Sequence, residues 1–216
     1  ITSGVLIFAS ILEHLGAKNV ITSGVGVREG VFLADLLRNQ RYQFPSGFNP
    51  SVASLQDRFL LQTKYANQLK SLALDLFDTL SGLHNCPTEL RHILGIAAYL
   101  SPIGTILNFY QTNLHGAYIL LNGLEYGFSH TQRELIALLI EYSDKKIPKI
   151  PPTLHSLPPL SQIQWLSFIL GLAQCLTKAP CTRAHITLTL EQNDKYTFLH
   201  IQSNHSLYLA KENVSR

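Results

Sequence analysis

The sequence predicts a chain of mixed α/β and mainly α architecture. It has an α/β edge at residues 1–40, an all-α domain at 51–147 and a small α+β module at 159–216. Three observations carry that prediction. Apolar residues recur at helical spacing almost without interruption from residue 51 to about residue 146. Two polar, proline-bearing stretches, 38–50 (RNQRYQFPSGFNP) and 149–159 (KIPPTLHSLPP), have no period and read as linkers. Strand-like segments surface only near residue 20 and after residue 184.

The elements follow in order. Residues 5–14 have the apolar density of a buried helix, with Gly16 as C-cap. Val20-Ile21-Thr22 reads as a short strand, Ser23-Gly24-Val25-Gly26 as a glycine-spaced turn, and 27–37 as a helix with Val31, Ala34 and Leu37 or Leu33 on one face. One strand cannot make a sheet, so this unit is expected to need partners outside these residues. Ser51 is expected to cap the first helix of the α domain. Helices are predicted over 51–61, 65–80, 88–100, 115–122 and 130–143, with Pro87 at a helix start where its missing N–H costs nothing, and Thr131 to Glu134 as a capping box. Beyond the second linker, 160–176 reads as an apolar helix. Residues 184–191 and 195–202 alternate as two strands joined by Gln192-Asn193-Asp194.

Composition narrows the function classes. The chain has 216 residues, 46% hydrophobic and 14% charged, enough to bury a substantial core. A net charge of +3 is far from the dense basic patch of a nucleic-acid binder, so no nucleic acid is expected as partner. The apolar run 4–12 is too short to span a bilayer, and 165–176 is flanked and interrupted by Gln164 and Gln174, so no membrane partner is expected and the location is expected to be cytoplasmic. Cys86, Cys175 and Cys181 lack metal-ligand spacing and fit reduced thiols, with Cys175 expected in the core. There is no methionine, and the chain opens abruptly at Thr2-Ser3-Gly4. The expectation is a piece of a longer protein, or a sequence from which modified methionines are missing.

The candidate site with most chemistry is the strand, glycine turn and helix start at 20–31, where backbone N–H groups can face an anion. Ser23, Gly24, Gly26, Arg28 and Glu29 are the candidate substrate-binding residues. In the alternative reading the glycines serve positive φ, and Arg28 and Glu29 form a local ion pair bracing the helix. Arg38, Arg41, Lys145, Lys146 and Lys149 are the candidates for a basic path to a polyanion.

With its preceding SGVLIFASILEHLGAKN, the segment VITSGVGVREGV resembles the last strand–helix unit of the exopolyphosphatase / guanosine pentaphosphate phosphohydrolase family. YANQLKSLALDLFDTL, ELRHILGIAAYLSPIG and HGAYILLNGLEYGFSHTQRELIALLIEYSDKK are similar to that family's helical domain. The resemblance implies that residues 1–40 end an actin-like (ribonuclease H-like) domain and that 51–147 is an HD-like domain. It implies hydrolysis of terminal phosphoanhydrides in polyphosphate or guanosine pentaphosphate, with Mg²⁺, and it places the catalytic residues before this chain begins. An HD domain holds a divalent metal through histidines and aspartates. At those positions this chain carries Tyr65, Ser101-Pro102 and Glu141-Tyr142-Ser143, and only His115 keeps its type. The implied metal site in this chain is therefore degenerate, with no metal ligands expected. The other histidines are expected to be ordinary surface or core residues. A non-catalytic module binding a nucleotide or a protein is the competing expectation, and the long apolar helices make a homodimer plausible.

Overall fold

The computed structural model describes residues 2–20, 26–145, 157–177, 186–193, 196–204, 206–207 and 211–212. Most of them are helical, and a single two-stranded antiparallel sheet is present among them. The chain divides into two compact units, Ile1–Ser46 and Gly47–Arg216.

The first unit holds α1 (Thr2–His14), α2 (Val27–Leu36) and a 3-10 turn at Arg38–Gln40. Gly16 ends α1 as expected, at φ +59°, with its N–H on the Glu13 carbonyl at 3.1 Å and the Ala17 N–H on the Leu12 carbonyl at 3.0 Å. A left-handed residue permits that double closure, and glycine takes it without a Cβ clash. The expected burial of this helix is not found: no residue of α1 is buried, and Val5, Leu6, Ile7 and Phe8 are 61–66% exposed. The apolar density is there, but the rest of the first unit does not cover it. Of the expected strand, Val20 is not in a strand, and residues 21–22 lie outside the described residues.

The second unit begins with α3 (Pro50–Arg58), α4 (Thr63–Thr79), the short α5 (Ser81–His84) and α6 (Thr88–Leu100). A 3-10 helix at Ser101–Ile106 follows, then α7 (Thr112–Gly123), α8 (His130–Glu141) and α9 (Leu160–Thr177). Two cap assignments are corrected. Asn49, not Ser51, caps α3, its side chain accepting the Val52 N–H at 3.1 Å with Pro50 in the first turn. Ser51 instead sits inside the helix, donating to the Tyr126 carbonyl and accepting the Tyr126 N–H. The capping box of α8 is Ser129 with Gln132, two residues ahead of the expected pair. Either frame offers a hydroxyl and a polar residue three positions on, and only the backbone geometry selects between them.

The core is one cluster. α4 packs on α6 and α9, α8 packs on α6 and α9, and α7 lies between α8 and the 3-10 helix. α9 buries residues on all sides, among them Ile163, Leu166, Ile169, Leu170 and Ala173, so it runs through this core rather than apart from it. Cys175 is half-buried rather than in the core, and Cys181 lies outside the described residues. The hairpin strands β1 (Ile186–Gln192) and β2 (Thr197–Ser203) pair antiparallel, with Leu188 opposite Ile201 and Leu190 opposite Leu199. Period two turns these four side chains toward the core, and β1 docks on α4.

Candidate functional site

In the first unit, Ser23 and Gly24 lie outside the described residues, and the structure places Gly26, Arg28 and Glu29 together at the start of α2. Gly26 is the N-cap in extended backbone, φ −80° and ψ 172°, so it does not need the positive φ of the alternative reading. A Cβ at Gly26 would stand 2.8 Å from a Glu29 carboxylate oxygen. The Glu29 side chain therefore folds back over its own helix start, where a negative charge is favoured by the macrodipole. Arg28 and Glu29 are both exposed, and no ion pair joins them. The basic candidates are partly engaged. Arg38 pairs with Asp35 at 2.7 Å, Lys145 with Glu141 at 3.5 Å, and Lys146 and Lys149 lie outside the described residues.

The second unit contains a cleft of about 1220 Å³. Its floor is a stripe of α4 in which Tyr65, Leu69, Leu72 and Asp75 recur at helical spacing. The 3-10 helix contributes Ser101 and Pro102, the start of α7 contributes Gln111 to Leu114, and the ends of α8 and α9 contribute Glu141, Asp144, Lys145, Gln174 and Thr177. Tyr65, Ser101, Pro102 and Glu141, four positions singled out by the sequence, thus meet in one place. His115 is half-buried on α7 and is not among the lining residues.

The walls are pinned by close backbone approaches and short side-chain bonds. Gly104 lies directly on the Thr112 carbonyl, and a Cβ there would also come within 2.6 Å of the Gly116 nitrogen. Ser143 donates to the Ile140 carbonyl and to Gln174 Oε1, both at 3.0 Å, which ties the end of α8 to α9. Thr177 Oγ1 donates to the Ala173 carbonyl at 2.8 Å and lies 3.5 Å from the Tyr65 hydroxyl. Ser101 Oγ is turned inward onto the Ala98 carbonyl at 3.1 Å. Burial pushes the Tyr142 phenol up, and the neighbouring Glu141 charge adds to that.

Among the described residues, no three His, Cys, Asp or Glu side chains come together as a metal-holding group. They do not fit Mg²⁺. Among the described residues, the lining carries three carboxylates (Asp75, Glu141 and Asp144) and one ammonium, Lys145.

His84 behaves as a structural residue. It is 5% exposed, its Nδ1 accepts the Cys86 N–H at 2.9 Å, and its Nε2 lies 2.9 Å from the Phe77 carbonyl. That pair of partners assigns the neutral tautomer with the proton on Nε2. Desolvation pushes the half-buried Cys86 thiol up, away from a reactive thiolate.

Sequence reasoning missed Asp75, Asp144, Gln174 and Thr177 as cleft residues. The α4 stripe was the available signal. The other walls come from segments up to a hundred or so positions away, so no local spacing reveals them.

The pattern of the Ppx/GppA phosphatase, domain III, matches residues 49–214. The chain belongs to the Ppx/GppA phosphatase family. It is 27% identical over 194 residues to a guanosine-5'-triphosphate,3'-diphosphate pyrophosphatase of Aliivibrio fischeri, covering 89% of this chain and 38% of that protein. A protein of the same name from Photobacterium profundum is 25% identical over 150 residues, 69% of this chain and 29% of the relative. A third, from Aeromonas hydrophila, is 28% identical over 139 residues, 64% of this chain and 27% of the relative. The matched region thus spans 27–38% of the length of these relatives.

Proposed function

We propose that this chain is the C-terminal part of a phosphoanhydride hydrolase that releases terminal phosphate from guanosine pentaphosphate, inorganic polyphosphate or both. The match of domain III over residues 49–214 carries the reading, supported by relatives named for a guanosine-phosphate substrate. In this reading the first unit ends an actin-like domain, and Gly26 and Arg28, with Ser23 and Gly24, border the substrate. The exposed apolar side chains of α1 support that placement, since the first unit alone leaves them uncovered. The nucleophilic water and the Mg²⁺ that would polarise the phosphates belong to the portion of the relatives that this chain does not span. No step is assigned to a residue of this chain.

The helical unit then acts in support. In this proposal it is an HD-like domain whose metal positions have been replaced. Tyr65, Ser101-Pro102 and Glu141 still converge on a cleft, but a serine hydroxyl bonded to its own helix and a proline without a donor cannot hold a divalent cation. The same observation favours a second reading, a non-catalytic module binding a nucleotide or a protein. We place the protein in the cytoplasm and propose a homodimer. No helix among the described residues is long and apolar enough to cross a membrane.

Phosphate release with Mg²⁺, measured on guanosine pentaphosphate and on polyphosphate, separates the readings. The hydrolase reading expects release by the full-length protein and none by these 216 residues alone. No release by either favours the binding module.

A further inference from the structure

The helical unit carries an apolar face that its own core does not use. α7 buries Ala117, Ile119 and Leu120 and leaves Leu114, Tyr118 and Leu121 exposed, at i, i+4 and i+7 of one stripe. The segment leading into α7 adds Ile106, Leu107, Phe109 and Tyr110, all exposed. That segment is held against the helix start. The Thr112 hydroxyl donates to the Phe109 carbonyl at 2.8 Å, and the Tyr110 N–H donates to Asn108 Oδ1 at 2.9 Å. The Phe109 and Tyr110 rings meet edge to face with centroids 6.1 Å apart. Loop and helix thus present a preformed surface rather than scattered side chains.

Charge and area both bear on what covers this face. Residues 92–124 contain no Asp, Glu, Lys or Arg, and the exposed polar side chains beside the rings are the amides of Asn108, Gln111 and Asn122. A second copy of the same surface can therefore approach without like-charge repulsion, and no charge is present to select an unlike partner. Depletion of charge with enrichment of Tyr and Phe is the composition of an interface core. Phe109, Tyr110 and Tyr118 are 82%, 78% and 68% exposed. With the four aliphatic side chains, covering them removes about 500–800 Å² per copy from water. A standard interface takes about 800 Å² from each partner, so the face is of the size that a stable dimer needs.

We propose that two copies of the protein meet through this face, α7 of one on α7 of the other about a two-fold axis, with Phe109 and Tyr110 closing the flanks. The inference rests on the homodimer of the hydrolase reading and names its contact surface. It does not depend on which phosphate is released.

Sedimentation velocity of the full-length protein over a concentration series tests it. A dimer is expected in the micromolar range. Tyr118→Lys and Phe109→Lys each place a cation opposite its own copy and are each expected to weaken the dimer at least about 100-fold. Tyr196→Lys, at a side chain beside β2 that is as exposed as Tyr118, is expected to leave it unchanged. All three residues are exposed, so far-UV circular dichroism matching the parent is expected throughout. A protein that stays monomeric at every concentration would overturn the proposal and assign the face to the rest of the full-length chain or to a different partner. A dimer unmoved by both α7-face variants, or weakened equally by Tyr196→Lys, would overturn it as well. Phosphate release is measured on the same samples, so failure of the hydrolase reading registers there and leaves the sedimentation result standing.

Discussion

The carbonyl of Ser143 rests directly against the Cα of Gly171, leaving no room for a Cβ. One turn further along α9, Gln174 accepts the Ser143 hydroxyl at 3.0 Å. The end of α8 is thus seated on α9 through a backbone contact and a side-chain bond on the same helix face. Glu141, Asp144 and Lys145 take their places in the cleft from that seat.

Gly171→Ala should therefore destabilise the second unit by about 1–3 kcal/mol, because the added methyl meets backbone rather than a yielding side chain. Gly95→Ala in α6 is the contrast. Its Cβ would meet Leu74 Cδ2 at 3.4 Å, an ordinary contact, and alanine gains up to about 1 kcal/mol of helix propensity. Urea unfolding midpoints of the two variants should move in opposite directions.

Arg91 donates from two nitrogens to both oxygens of Asp78 at 2.7 Å and holds that carboxyl below its usual range. A folded-state value below the unfolded one means the contribution is fully present above the unfolded carboxylate range. It is lost as pH falls through the folded value, below about pH 4. The side chains are 38% and 53% exposed, so solvent screening limits the pair to under about 1 kcal/mol. Asp78→Asn should lower stability slightly at pH 7, and its difference from the parent should shrink toward pH 3 in a series of thermal melts.

Ser167 is 3% exposed on α9, and its hydroxyl is buried without a hydrogen-bond partner among the described residues. Removing an unsatisfied buried hydroxyl relieves a desolvation cost. Ser167→Ala should leave stability unchanged or raise it by up to about 1 kcal/mol. A loss of more than 1 kcal/mol in denaturant titration would show that the hydroxyl is bonded after all.

Much of the helical fold was legible in the sequence because its breaks are chemical. The helix 88–100 was placed to the residue, with Pro87 ahead of it and Ser101-Pro102 behind. The 3-10 helix at Ser101–Ile106 is not legible in the same way, since Pro102 and Gly104 two positions on both break an α-helical pattern without specifying the tighter turn. Helical periodicity gave the apolar content of α1 but not its exposure, because burial depends on what stands opposite. Of the candidate site, the sequence brought Gly26, Arg28 and Glu29 together because they are neighbours in one helix start. It could not assemble the cleft, where Asp75, Asp144 and Thr177 meet only through tertiary packing.

The most direct test of the central claim is the initial rate of phosphate release from guanosine pentaphosphate by the full-length protein. The same assay is run on a version ending at Ser46, the boundary of the first unit. A supporting role for the helical unit predicts release by the full-length protein and a loss of at least about tenfold on truncation. Equal rates would contradict it and leave domain III without a part in the reaction.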